Sequence, residues 1–114
     1  MSTKWADQFK TVKNNTGLLG AASPQTMRAF GGLVSAASSD GELDKSTKEL
    51  MAIAISICVR CEGCIAYHVH NAVSLGVSRN EVVETINVAI EMGGGPATVY
   101  GAKVLEAFDE FSKS

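Results

Sequence analysis

The sequence has little of several features that mark whole classes of protein. Its 114 residues include only two prolines, three cysteines and 6% aromatic residues. No stretch approaches the about 20 apolar residues of a membrane span, and the first residues lack the apolar core of a signal peptide. We therefore expect a cytoplasmic protein without a membrane partner.

A strong excess of one charge is also missing. Ten basic and 12 acidic residues give a formal net charge of -2, and the lysines and arginines are scattered along the chain. Because no basic stripe is present, we expect no nucleic-acid partner.

Strand-like alternation, internal repeats and linkers are absent as well. A hydrophobic content of 46% suits one domain over residues 1–114. A domain of this size buries about two-thirds of its unfolded surface. The pattern predicts an all-α fold of five or six helices.

Capping signals place the first helices. We expect one helix from residue 2 to about residue 12, ended by residues 14–17, and a second that opens at Ser23 and Pro24. The pair Gly31-Gly32 predicts close packing of this second helix against another. Its expected buried side consists of Met27, Phe30, Leu33 and Val34.

Two central helices are expected to form an antiparallel hairpin. Residues 46–49 have the form of a capping box, and residues 50–59 are apolar nearly all round the helix. One small subunit can hardly cover such a helix, so we expect a homo-oligomer. The chain should bend at residues 60–62 before a helix that runs to Gly76.

Two further helices complete the expected fold. Ser78 and Glu81 form another capping box, and residues 93–96 separate that helix from a last one that reaches about Phe111. No Gly-Lys-Ser/Thr follows the glycine run, which excludes a phosphate-binding loop.

The chemically active side chains are concentrated in the stretch CEGCIAYH at residues 61–68. If this stretch opens a helix, Cys61, Cys64 and His68 fall near one stripe, because successive residues turn by about 100°. The start of a helix favours a thiolate, and His68 can take the proton of the Cys64 thiol. The spacing predicts a thiol redox site.

Glu49 is a further candidate residue. In a hairpin that turns near Arg60, Glu49 lies opposite residues 68–71, where its carboxylate can orient or charge the imidazole of His68. Its alternative role is in the capping box with Ser46, and both roles can hold.

Glu49, Cys61, Cys64 and His68 are separated by eleven, two and three residues. This spacing resembles the signature of the alkylhydroperoxidase AhpD core, within the carboxymuconolactone decarboxylase-like superfamily, over roughly residues 43–108. The resemblance implies an all-helical fold that assembles into oligomers, commonly trimers or hexamers. It also implies a thiol-dependent peroxidase or disulfide reductase acting on hydroperoxides, for which we expect no cofactor.

The same resemblance implies a role for each residue. The cysteine matched by Cys64 attacks the peroxide, that matched by Cys61 resolves the sulfenic acid as a disulfide, and Glu49 and His68 form a proton relay. Electrons would come from a dithiol such as lipoamide or a thioredoxin-like protein. The chemistry agrees, because a neighbouring thiol condenses with a sulfenic acid.

Two comparisons within the superfamily refine this expectation. Gly63 stands where AhpD itself has a second histidine, so we expect weaker peroxidase activity. The decarboxylase branch does not keep the CxxC pair, which disfavours lactone decarboxylation.

Two other interpretations stay open. Cys58, Cys61, Cys64 and His68 also have the form CxxCxxCxxxH, which resembles zinc or iron–sulfur ligation. We expect instead that Cys58 is a buried core residue, and His70 should point about 160° away from the Cys64 side, exposed or capped. The second alternative is a non-enzymatic helical oligomerisation module with incidental cysteines.

Overall fold

The computed structural model describes residues 2–113, so the first and last residues of the expected domain lie outside it. Within these residues the chain forms helices and no strand, which confirms the all-α class. The six helices are α1 (Lys4–Ala22), α2 (Pro24–Ser38), α3 (Lys45–Cys58), α4 (Glu62–Ser74), α5 (Arg79–Gly93) and α6 (Gly95–Ser112). None of these helices is long and apolar enough to cross a membrane.

The core lies between α3, α4, α5 and α6. Helix α3 packs against the other three, and α6 packs against α4 and α5. Completely buried branched side chains from all four helices meet there: Ile53, Ile57, Ile65, Val69, Val82 and Val104. Each contributes about 1.5–3 kcal/mol by leaving water, which holds the central α3–α4 hairpin in place.

The second half of the chain begins and ends its helices where the sequence predicts. Ser78 and Glu81 form the predicted capping box, in which each side chain accepts a hydrogen bond from the other's backbone N–H. Gly76, with φ of 80°, follows the end of α4, and Gly94, with φ of 72°, separates α5 from α6. Both glycines have a positive φ, which glycine adopts without the steric cost that other residues would have.

Helix α1 is longer than predicted. It continues through residues 14–17, where an end was expected, as far as Ala22. Asparagine, threonine and glycine each lower helix stability by only about 1 kcal/mol or less, so they do not by themselves break a helix. Thr16 also satisfies its hydroxyl within the helix by donating to the backbone oxygen of Val12, 2.9 Å away. Ser23 and Pro24 open α2 as predicted, although the Ser23 side chain forms no capping hydrogen bond.

The predicted packing of α2 is wrong for the single chain. None of its residues is buried, and Phe30 and Leu33 are 54% and 62% exposed. A Cβ atom on Gly31 or Gly32 would meet nothing within 4 Å, so no helix packs on the glycine pair. Of the expected buried side, Met27 alone is partly covered while Val34 is also exposed. Among the helices of the described chain, α2 contacts α1 and α3 and no other.

The start of α3 also differs from the prediction. Asp44 is the N-cap, and its carboxylate accepts a hydrogen bond of 2.8 Å from the backbone N–H of Thr47. This hydrogen bond lowers the pKa of Asp44. The capping box at residues 46–49 is therefore wrong, because α3 already begins at Lys45. The Glu49 side chain therefore does not cap α3 and can form a hydrogen bond with a different residue.

The single chain covers helix α3 on only part of its surface, so the burial on most sides that the sequence predicts would need a neighbouring subunit. Ile53 and Ile57 are completely buried, but Met51 and Ile55 are 49% and 60% exposed. Val59, just beyond the helix, is 63% exposed. These three residues form an apolar stripe that the single chain leaves uncovered.

Trp5 connects α1 to α6 through its buried ring and its hydrogen bonds. Its side chain is 1% exposed, and its ring N–H donates a hydrogen bond of 2.7 Å to Glu106. The Glu110 carboxylate accepts from the backbone N–H groups of Trp5 and Ala6, at 3.1 and 2.7 Å. The hydrogen bonds from Trp5 and then Lys4 hold the pKa of Glu106 below its usual range. The start of α1 is thereby held against α6.

Candidate redox site

The turn between α3 and α4 places the two cysteines. Arg60 has φ of 58°, the left-handed region that non-glycine residues seldom adopt. The backbone N–H of Cys61 then donates to Ser56 O, 3.1 Å away, and Cys61 becomes the N-cap of α4. The bend at residues 60–62 is where the sequence predicts it.

Cys61 and Cys64, hereafter the cysteine pair, are joined by a disulfide. The sulfur of Cys61 also accepts a hydrogen bond of 3.1 Å from the backbone N–H of Cys64. In the reduced protein, a backbone N–H and the positive end of the helix dipole at this point favour a thiolate over a thiol. Both cysteines are partly buried, so small molecules can reach them.

Glu49 and His68 meet across the α3–α4 hairpin, as its geometry predicts. The Glu49 carboxylate lies 2.8 Å from Nδ1 of His68, and the two side chains are 11% and 27% exposed. When Nδ1 donates to the carboxylate, Nε2 is the ring nitrogen that can exchange a proton during a reaction. His68 follows Cys64 by one helical turn. The catalytic roles of these residues stay predictions.

Sequence reasoning did not find two contacts of the site. Asn71 donates to the second oxygen of Glu49 at 3.4 Å, and its position one turn beyond His68 could have indicated this. Nζ of Lys103, in α6, lies 3.4 Å from the carboxylate of Glu62, the residue that follows Cys61 in the CxxC segment. No local signal predicts that contact, because the fold alone brings the two residues together.

Helix α1 packs against α4 beside the cysteine pair. Phe9 stacks on His70 with ring centroids 4.1 Å apart, and Tyr67 lies 6.2 Å from Phe9. Val12 lies against Gly63, where an added Cβ would be 3.0 Å from a Val12 methyl carbon. A Cβ atom at position 63 would therefore require the Val12 side chain to shift by a few tenths of an ångström, which favours glycine between the cysteines.

We expect Gly63→Leu to lower the free energy of unfolding by about 1–3 kcal/mol, because the new side chain overpacks against Val12. Urea unfolding at fixed protein concentration measures the effect. In the double variant Gly63→Leu/Val12→Ala, space is restored and much of the loss should be recovered. An equal loss in the Val12→Ala background would contradict this account of the contact.

Cys58 and His70 stand apart from the cysteine pair. Cys58 is exposed rather than buried in the core, because α3 ends there, and its sulfur lies 3.8 Å from Ala89 O. His70 is neither exposed nor capped as expected. It is partly buried against Phe9 and Phe111, and its Nδ1 has no hydrogen-bond partner in the described chain.

Metal ligation gains no support from these positions. Over residues 2–113, no three or more histidine, cysteine, aspartate or glutamate side chains are grouped so that they could hold a metal ion. The sulfurs of Cys61 and Cys64 bond to each other instead. The arrangement is suited to exchange of protons and electrons at two adjacent sulfurs.

Comparison with known proteins identifies the family. A model of the carboxymuconolactone decarboxylase family matches residues 24–107, which is most of the chain. The protein belongs to the carboxymuconolactone decarboxylase family. This confirms the resemblance drawn from Glu49, the cysteine pair and His68, and the family includes both decarboxylases and AhpD-type enzymes.

Solved structures of the carboxymuconolactone decarboxylase family share this fold. A family protein of Legionella pneumophila, crystallised in the apo form, is 41% identical with a TM-score of 0.95, covering 97% of this chain and 99% of its own. A family protein of Thermotoga maritima, for which an antioxidative role has been suggested, is 28% identical with a TM-score of 0.83. It aligns with 92% of this chain and 90% of its own. An uncharacterised protein of Cupriavidus necator is 36% identical over 96% of both chains.

Proposed function

We propose that this protein is a thiol–disulfide oxidoreductase that reduces hydroperoxides with the cysteine pair. The observation that carries the proposal is a disulfide at the start of α4, next to the hydrogen-bonded Glu49 and His68. Two thiols reduce one hydroperoxide to an alcohol and water, and the two sulfurs become a disulfide. The antioxidative role suggested for the Thermotoga maritima relative supports a peroxide substrate.

The first step breaks the O–O bond. The Cys64 thiolate attacks the terminal peroxide oxygen and becomes a sulfenic acid, while the alkoxide leaves with both electrons of the O–O bond. His68, held by Glu49, takes the proton of the thiol and returns it to the alkoxide. Glu49 keeps the imidazole in one orientation and stabilises it when it is protonated.

The second step closes the disulfide. The Cys61 sulfur attacks the sulfenic sulfur of Cys64, and the hydroxyl group leaves as water after taking a proton. An external dithiol, such as lipoamide or a thioredoxin-like protein, then reduces the disulfide by thiol exchange. Partial exposure of both cysteines leaves the pair accessible to that donor.

Removal of single cysteines tests the proposal. In an assay with cumene hydroperoxide and dihydrolipoamide, we expect Cys64→Ser to consume peroxide only at the background rate. Cys61→Ser should form a sulfenic acid once without turning over, because no resolving thiol remains. Cys58→Ser is the matched control and should keep the wild-type rate. A Cys64→Ser protein as active as the wild type would refute the proposal and leave the oligomerisation module as the alternative.

We also propose that the chain forms a homo-oligomer, with a trimer or hexamer expected from the family resemblance. The accessible surface of the single chain is 6986 Å². A compact monomer of 12.0 kDa is expected to expose only about 6,000 Å². The excess is close to the roughly 800 Å² that each partner contributes to a standard interface. Exposed Phe30 and Leu33 on α2 suit such an interface.

Light scattering on the purified protein tests the assembly. We expect the mass of three or six chains at micromolar concentration, and a monomer for Phe30→Glu/Leu33→Glu, because burying two carboxylates in an apolar interface is strongly unfavourable. A monomeric wild-type protein would contradict the proposal. An assembly that the double variant leaves intact would contradict the placing of the interface on α2.

A further inference from the structure

A lysine of α6 contacts the segment between the two cysteines. Nζ of Lys103 lies 3.4 Å from a carboxylate oxygen of Glu62, which follows Cys61 in the first turn of α4. The two residues are 41 positions apart in the sequence. Their side chains are 30% and 45% exposed, so water screens the ion pair in part. The proposed steps at the cysteine pair do not use this contact.

Glu62 has opposite effects on the helix and on the cysteines. A carboxylate in the first turn of α4 is favourable, because it faces the positive end of the helix dipole. The same negative charge between two cysteines disfavours a thiolate at either of them, because like charges repel. A positive charge on Lys103 cancels this repulsion and leaves Glu62 in place.

No other positive charge near the turn forms an ion pair with Glu62 in the described chain. Arg60 precedes Cys61 and is exposed, but it forms none of the four ion pairs found among residues 2–113. His68 is already paired with Glu49. Lys103 is therefore the cation in contact with the acidic residue of the CxxC segment.

We propose that Lys103 is a positioning residue of the redox site, which acts through Glu62 to stabilise the thiolate of the cysteine pair. Reduction of the disulfide takes up two electrons and two protons. When one thiol ionises at neutral pH, the reduced pair keeps one proton fewer and is stabilised relative to the disulfide. The inference rests on the proposed function, but it concerns the thiols and can be measured without peroxide turnover.

Lys103→Met is the informative change. Methionine keeps an unbranched apolar side chain near the Tyr100 ring, whose centroid lies 5.8 Å from Nζ of Lys103, and it removes the charge. We expect the reduced pair to react with iodoacetamide about two- to five-fold more slowly at neutral pH, a modest effect because the ion pair is partly exposed. The equilibrium with a dithiothreitol buffer should shift towards the protein disulfide by a similar factor.

The experiment uses the full chain with Cys58→Ser as the parent protein, so that only Cys61 and Cys64 can react with iodoacetamide. Lys103→Arg should behave as the parent protein, and Glu62→Gln should remove most of the effect of Lys103→Met, because no carboxylate is left to neutralise. Raising the salt concentration to about 1 M should reduce the difference, since the charges are screened. Lys4→Met is the matched control, because Lys4 likewise joins two helices by an ion pair with a glutamate, in this case between α1 and Glu106 of α6 at 3.2 Å.

Two results would overturn the inference. One is a Lys103→Met protein whose alkylation rate and dithiothreitol equilibrium equal those of Lys4→Met. The other is an effect of the same size in the Glu62→Gln background, because Lys103 would then not act through Glu62. A third result is a parent protein that reduces no peroxide while Lys103→Met still changes the thiol reactivity through Glu62. That outcome would refute the proposed function and support this inference.

Discussion

Glu49→Gln is expected to slow oxidation of the reduced cysteine pair by hydroperoxide about 100-fold, within the range usual for loss of general acid–base catalysis. Glutamine has nearly the same shape, but it has no charge to hold the protonated His68 ring, whose Nδ1 lies 2.8 Å from the carboxylate. Rapid mixing with cumene hydroperoxide, followed by titration of the remaining thiols, measures the rate. Glu84→Gln, at an exposed position of α5, is the control and should leave the rate unchanged.

A double variant tests whether Glu49 and His68 act as one unit. If Glu49 acts through His68, the two residues form one unit, and His68→Gln should slow the Glu49→Gln protein little further. Asn71→Ala should change the rate only a few-fold, because its contact with Glu49 is longer, at 3.4 Å. Independent effects of Glu49→Gln and His68→Gln that multiply would contradict the relay, and so would a wild-type rate in either single variant.

Trp5→Ala is expected to lower the free energy of unfolding by about 3–5 kcal/mol, the usual loss when a buried large aromatic side chain is truncated. The side chain is 1% exposed, and it donates the hydrogen bond to Glu106 that joins α1 to α6. Domains of this size are stable by only about 5–15 kcal/mol, so the variant should be close to unfolding. Urea unfolding at one fixed protein concentration measures it.

Trp5→Phe is the matched control for the packing, because it retains a buried ring and loses the hydrogen bond. We expect it to cost about 1–3 kcal/mol, the penalty for a hydrogen bond to a charged group. A Trp5→Ala protein as stable as Trp5→Phe would show that the buried ring contributes little. That result would contradict the role of the Trp5 ring in holding α1 against α6.

The hydrogen bond from Trp5 to Glu106 should stabilise the fold to an extent that depends on pH. Hydrogen bonding to Trp5 lowers the pKa of Glu106 in the folded chain, so the contact stabilises the fold above the pKa of the unfolded chain, ordinarily 4.5. The contribution is lost as the pH falls from there through the lower pKa of the folded chain. The stability of Trp5→Phe should therefore fall less steeply in acid than that of the wild type.

Local signals in the sequence predict the second half of the chain well. The capping box at Ser78 and the left-handed glycine at residue 76 depend on a few neighbouring residues, and both are formed. The contact of Glu49 with His68 follows from the register of a hairpin that turns at residues 60–62. Counting along two helices from a known turn is enough to pair these residues.

Competing local signals explain one of the errors. Asp44 and Ser46 are both good N-cap residues, and the sequence does not tell which one begins α3. The burial predicted for α2 is not provided by the single chain, and in the proposed homo-oligomer a second subunit would have to provide it. Contacts between distant segments, such as Val12 with Gly63, have no local signature at all.

The most direct test of the redox site is peptide mapping of the reduced protein before and after one equivalent of hydroperoxide. The account predicts that two thiols are lost for each hydroperoxide consumed, that Cys61 and Cys64 appear joined in one disulfide-linked peptide, and that Cys58 keeps its free thiol. Three thiols that stay free, or oxidation of Cys58 with the cysteine pair unchanged, would contradict it.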